Sequence, residues 1–314
     1  MTVTTPATPT TNAPAPFESV PDVLGALANT GYVADESLAT VVYLATRLQK
    51  PLLLEGPAGV GKTELAKTLA TALHRPLVRV QCYEGLDESR ALYEWDYGKQ
   101  LVYVQLLRNL AHHDAHDDLQ DPRSHASERT HETATELFSE RFLIERPLLR
   151  AIRSTQPVVL LIDEIDRADP EFEAMLLELL SDLQVTIPEL GTITATSTPL
   201  VVLTSNANRE LSEALRRRCL YVHVGYPSPS RELEILAQRV PEALDALRQQ
   251  VVSLAQSLRT LDLQKPPSVS EVVEWTRALV LLGAQSLDPD TLERTLPVLL
   301  KHQDDIELAK TRAR

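Results

Sequence analysis

The run Gly56-Pro57-Ala58-Gly59-Val60-Gly61-Lys62-Thr63 places three glycines, an ammonium and a hydroxyl within eight residues, between an apolar stretch and a helical pattern. It fits G-x-x-x-x-G-K-[ST], with the strand before and helix after that a phosphate site requires. Glycine removes the Cβ that would hold backbone N–H groups away from an anion, so such a turn can cradle phosphate oxygens. The helix starting near Lys62 adds its positive end, Lys62 reaches the β- and γ-phosphates, and the Thr63 hydroxyl is a Mg²⁺ ligand. With Glu64 in the first helical turn, residues 56–64 are the expected nucleotide-binding segment.

A second apolar run, VVLLIDEID at 158–166, delivers two carboxylates at its end, and the carboxyl ends of parallel strands are where ligands sit in α/β sheets. Asp163 is expected to hold Mg²⁺ directly or through water, and Glu164 to polarise an attacking water, because a metal ligand cannot also do that well. Asp166 and Asp169 read as a turn and a helix N-cap ahead of Pro170. A third run, VVLTSNAN at 201–208, ends in amides. Asn206 is the expected orienter of the lytic water, Asn208 is an alternative, and capping of the following short helix is the other use for either. Arg216, Arg217 and Arg218 then close that short helix. One cation at a helix C-terminus is ordinary, whereas three suit stabilisation of transition-state charge, in cis or across a subunit boundary.

These groups need a scaffold that brings strand ends together. Apolar runs at 51–56, 76–83, 157–164, 199–206 and 220–226 alternate with helix-length segments. Runs rich in Leu, Val and Ile without polar alternation are expected to be parallel strands buried on both faces, giving a doubly wound α/β sheet. Leu65, Leu69 and Leu73 give the helix after the glycine loop an apolar stripe to lay on that sheet. After Pro229 the runs become helical throughout, so a nucleotide domain over 17–228 and a smaller all-helical domain over 229–314 are expected. Residues 1–16, rich in Thr, Pro and Ala without charge, read as a disordered tail. Residues 111–140 carry eight acidic residues against two arginines and read as a solvated insertion.

Together, GPAGVGKT, VVLLIDEID, VVLTSNAN and LSEALRRRC resemble the AAA+ ATPases of the MoxR group, over roughly residues 31–283. YEGLDESRALYEWDYGKQL, ERFLIERPLLRAI, VTIPELGTITA and KPPSVSEVVEW are similar to the CoxD-like branch, encoded alongside carbon monoxide dehydrogenase. The resemblance implies a P-loop domain with a helical lid, a homo-hexamer, and ATP hydrolysis with Mg²⁺ at subunit interfaces. It also implies a chaperone-like role that matures or activates a metalloenzyme, a molybdenum hydroxylase in this branch, with a von Willebrand factor A domain partner. By the same likeness Lys62 and Thr63 take the Walker A roles and Asp163 and Glu164 the Walker B roles. Asn206 is sensor 1, and Arg218, or Arg217 beside it, is the arginine finger. Residues 185–195 correspond to the hairpin before sensor 1, and Gly31 and Tyr32 to the segment bordering adenine. Where many relatives carry a sensor 2 arginine this chain has PPSVSE with Val269, and Arg277 is the nearest substitute.

Composition narrows the alternatives. A formal charge of -13 with a sequence pI near 5.1 opposes a large nucleic-acid footprint, which weighs against the DNA- or RNA-handling motor that AAA+ relatives also include. A nucleotide-gated scaffold is the third class, opposed by the full catalytic set. No run reaches the length of a membrane span and no secretory leader pattern opens the chain, so a cytoplasmic protein is expected. Cys82 and Cys219 read as idle thiols rather than a disulfide. His112, His113, His116, His125 and His131 read as incidental to a polar surface rather than as a metal site. Tyr93, Trp95, Tyr97 and Tyr103 fit an interface or a packed junction equally.

Overall fold

The computed structural model describes residues 17–114 and 136–313. Among the described residues nine strands run in chain order as β1 (Leu52–Glu55), β2 (Leu77–Gln81), β3 (Tyr93–Trp95), β4 (Leu143–Glu145), β5 (Val159–Asp163), β6 (Gln184–Ile187), β7 (Gly191–Thr194), β8 (Leu200–Ser205) and β9 (Leu220–His223). The five apolar runs supply one parallel sheet in the order β2-β5-β8-β1-β9. β1, β5 and β8 are buried along their whole length, the reason their sequences do not alternate. Alternate residues still face opposite ways. Leu53, Leu160 and Leu203 pack in one core, whereas Leu52, Leu54, Leu161 and Val202 pack in the other. The helix Lys62–Ala72 lays Leu65, Ala66 and Leu69 on the second face, with Leu73 partly buried beside them.

Five helices follow Pro229: Pro229–Arg239, Asp245–Arg259, Val269–Leu281, Pro289–Leu299 and Gln303–Ala313. They share a separate core around the fully buried Trp275, whose indole N–H donates to Thr295 Oγ1 at 2.9 Å. Within it Glu232, wholly buried, takes both guanidinium nitrogens of Arg259 at 2.8 and 2.7 Å, so the buried charge is paired. The PPSVSE stretch starts a helix through a capping box: the Ser268 side chain accepts from Glu271 N, and the Glu271 carboxylate accepts from Ser268 N. No helix among the described residues is long and apolar enough to cross a membrane.

Two small antiparallel sheets flank this frame. β6 pairs with β7 as the hairpin expected before β8, while β3 pairs antiparallel with the distant β4, and both strands are too short for any sequence period to reveal. That second pair decides the aromatic cluster for Trp95. Its ring is 7 % exposed and meets Tyr93 and Phe138 edge-on at centroid distances of 6.0 and 5.3 Å. Trp95→Ala is therefore expected to destabilise the chain by about 3–5 kcal/mol through loss of packing, measured by urea unfolding; an unchanged midpoint would return the residue to an interface role. Tyr97, by contrast, is 66 % exposed. The 1–16 tail, His116, His125, His131 and most of the acidic insertion lie outside the described residues.

Candidate active site

Register brings the expected chemistry to one edge of the sheet. Glu55 pairs with Ser205 and Gln81 with Asp163, so the glycine loop, the paired acids and the amide-tipped strand all leave the sheet at its carboxyl end. The loop cannot carry side chains there. A Cβ on Gly56 would lie 2.1 Å from the Val224 carbonyl oxygen, and one on Gly59 would lie 2.5 Å from Ser268 Oγ. Gly61 turns the chain into the helix at φ 102, a left-handed conformation that favours glycine. The helical domain sits directly on the loop, because Ser270 N and Oγ both donate to the Gly59 carbonyl at 3.2 Å.

Lys62 is 6 % exposed and donates to the Gly56 and Pro57 carbonyls at 2.7 and 2.6 Å and to Asn206 Oδ1 at 2.8 Å. Burial lowers its pKa, and the nearby carboxylates of Asp166, Asp163 and Glu164 oppose that shift. Asp163 is committed on every side. Its Oδ1 accepts from the hydroxyls of Thr63 at 2.8 Å and Thr204 at 2.6 Å, and its Oδ2 accepts from Arg79 Nε and Nη2 at 3.1 and 2.6 Å. Glu164 differs from its neighbour. It holds a left-handed backbone at φ 57, donates its N–H to Thr204 Oγ1 at 2.9 Å, and its carboxylate meets Arg167 at 3.2 Å. A non-glycine residue in that conformation carries strain of the kind found at functional sites. The two acids thus stand in different surroundings, as two separate roles require.

The donor set suits a nucleotide with Mg²⁺. The hydroxyl of Thr63 and the carboxylate of Asp163 are adjacent hard oxygen donors of the kind Mg²⁺ takes. The backbone at Gly56 and Gly59 has room only for hydrogen, as a phosphate cradle needs. A cavity of about 570 Å³ opens from the loop at Gly59, Val60 and Gly61 toward Tyr32, Tyr226 and the helical domain. Its size falls in the range of small-molecule sites. Gly31, Tyr32 and Glu64 line it from one side, and Val269 and Arg277 from the other. Ala58 is an exposed residue of the loop.

Several groups were not legible from the motifs. Arg231 donates to the Val33 carbonyl and to Asp35 Oδ2 at 2.7 Å each, and Arg239 donates to Glu64 Oε1 at 2.7 Å. Both are on the first helix after Pro229 and line the cavity alongside Arg277, which donates to the Arg239 carbonyl at 3.2 Å. Asp166 does lie in a turn, the 3-10 segment Ile165–Arg167, but its side chain does more than the turn requires. Its carboxylate is buried and accepts from Asn206 N, Asn208 N and Asn208 Nδ2. The Asn208 N–H and Nδ2 are thereby engaged, and the short helix Glu213–Arg216 is capped by Ser212 rather than by either asparagine. Asp169 takes the N-cap position of Pro170–Asp182 without a capping hydrogen bond and instead accepts from Gly85 N at 3.0 Å.

The arginine run separates into three fates. Arg216 donates to Glu55 Oε2 at 2.8 Å and stacks over Tyr221 at 5.8 Å. Arg218 donates to the Ala214 carbonyl at 2.8 Å and to the Ser181 hydroxyl. Arg217 is exposed, and although its N–H donates to the Glu213 carbonyl at 3.1 Å, its side chain makes no hydrogen bond or ion pair with the described residues.

Residues 51–219, more than half of the chain, match the family described as AAA domain (dynein-related subfamily). The chain belongs to this AAA family. Relatives that span most of the AAA chain include an uncharacterized protein of Staphylococcus saprophyticus, 25% identical over 264 residues, covering 82% of this chain and 86% of the relative. Another, from Staphylococcus haemolyticus, is 26% identical over 256 residues, covering 80% and 83%. Among solved structures, a mutant of RuvB from Thermotoga maritima superposes with a TM-score of 0.50 at 17% identity, covering 85% of this chain and 70% of that one. At that identity the likeness is one of fold: the AAA+ P-loop architecture of a parallel five-stranded sheet with flanking helices and a helical C-terminal region.

Proposed function

We propose that this AAA chain hydrolyses ATP in a ring of identical subunits and uses the cycle to mature or activate a client metalloenzyme. The observation that carries the ATPase reading is the meeting of Lys62, Thr63, Asp163, Glu164 and Asn206 at one sheet edge, next to a cavity of nucleotide size. The glycine loop amides and Lys62 bind the phosphates, Thr63 and Asp163 hold Mg²⁺, and Asn206 and Glu164 orient and deprotonate water. Bound there, Mg²⁺ supplies neutralisation of the charge on the β- and γ-phosphate oxygens. Arg217 is the trans-acting finger because it alone in the run is exposed with a side chain that has no hydrogen-bond or ion-pair partner among the described residues.

The client rests on the resemblance to the MoxR group and its CoxD-like branch, which points to a molybdenum hydroxylase and a von Willebrand factor A domain partner in the cytoplasm. A hydroxylase of that type, produced with the wild-type chain or with its Glu164→Gln variant, separates the outcomes. Activation by the wild type alone is expected. Equal activation by both, or ATP turnover stimulated by duplex DNA at low salt without effect on the hydroxylase, would overturn the maturation reading.

A further inference from the structure

Asp166 is the buried ionisable group in the site to which the motifs give no chemistry. Its carboxylate is 4 % exposed and receives three hydrogen bonds, all from the turn that follows β8. Oδ1 accepts from Asn206 N at 3.1 Å, and Oδ2 accepts from Asn208 N at 3.1 Å and Asn208 Nδ2 at 2.7 Å. The turn needs such an anchor. Ala207 sits at φ 58, a left-handed conformation that alanine resists, and its N–H is held by Ser205 Oγ at 3.0 Å. With two acceptor oxygens, one carboxylate meets all three donors and can hold the whole turn. On the far side of the same residue, Asn206 Oδ1 takes Lys62 Nζ at 2.8 Å.

We propose that Asp166 is a positioning residue for the hydrolytic step: it fixes the backbone of Asn206 so that the side-chain amide is presented beside Lys62. The proposal rests on the reading of Asn206 as the amide that orients water. Asp166 acts through Asn206 and touches no substrate.

The test compares Asp166→Ala, Asp166→Asn, Asn206→Ala and the Asp166→Ala/Asn206→Ala double variant by kcat, KM for ATP and melting temperature. Asp166→Ala is expected to lower kcat by about tenfold or more, because small misplacements of a positioned group slow the chemical step. Its KM should stay within about threefold, the pattern of a contribution made in the transition state. Asp166→Asn, whose amide oxygen still accepts from Asn206 N but whose NH2 faces the two Asn208 donors, is expected to recover only part of the rate. The double variant should be no slower than Asn206→Ala alone, since two residues acting through one group are not additive. A normal kcat in Asp166→Ala beside a slow Asn206→Ala, or multiplicative slowing in the double variant, overturns the proposal. A normal kcat in Asn206→Ala instead overturns the reading of Asn206 itself. Should Asp166→Ala not fold, Asp166→Glu, which keeps the charge but moves it by one methylene, carries the same expected loss and the same refutation.

Discussion

Glu164→Gln is expected to lower ATP turnover by about 10²–10⁴-fold, the range for loss of a general base. Nucleotide affinity should change by no more than about threefold, because the side chain contributes no contact to the phosphate loop. The assignment follows from how the two acids are occupied. Asp163 accepts from Thr63, Thr204 and Arg79, so both of its oxygens are engaged and its place is fixed. Glu164 has a partly exposed side chain with Arg167 as its ion-pair partner, a contact that a half-exposed arginine can release. The left-handed backbone that sets Glu164 apart is held by its own N–H on Thr204, so the glutamine variant keeps the conformation and loses only the basic oxygen. Phosphate release and binding of a fluorescent ATP analogue measure the two quantities. Turnover within threefold of wild type would remove Glu164 from the chemistry.

Arg217→Ala is expected to cost about 10³-fold or more in turnover, the scale of an arginine finger, with the melting temperature unchanged. The arginine run contains three guanidinium groups, yet two already have work inside the chain. Arg216 neutralises Glu55 at the end of β1, and Arg218 ties the short helix to Ser181. Removing either breaks internal contacts, so a lower melting temperature is the expected signature of Arg216→Ala and Arg218→Ala. With an exposed side chain that has no partner among the described residues, Arg217 loses nothing of the fold when truncated. A turnover defect in Arg218→Ala alone would shift the role by one residue.

Much of the scaffold was legible because burial on both faces writes itself into sequence as uninterrupted Leu, Val and Ile. Each of the five apolar runs is a strand of the central sheet, and VVLTSNAN lies beside the strand of the glycine loop. Legibility fails where the deciding contact lies between distant segments. Nothing local distinguishes Asp166 from Asp169 as a turn residue, since only the return of β8 brings Asn206 and Asn208 onto the first. Arg217 and Arg218 are equivalent in the sequence, and the end of the helix at Arg216 decides which guanidinium turns back onto the fold. Trp95 read as an interface as readily as core until the three-residue strands β3 and β4 paired around it. The arginines of the helix Pro229–Arg239 gave no motif, yet two of them bridge the helical domain to Asp35 and Glu64.

The claim that hydrolysis needs a guanidinium from a neighbouring subunit is tested most directly by mixing two inactive variants. Glu164→Gln lacks the base but keeps Arg217, and Arg217→Ala lacks the finger but keeps the base. In rings formed at equal ratio, about a quarter of the interfaces would join an intact site to an intact finger. ATP turnover should therefore return toward that fraction of the wild-type rate on mixing. Turnover that stays at the level of the separate variants, in rings shown to contain both, would contradict the account.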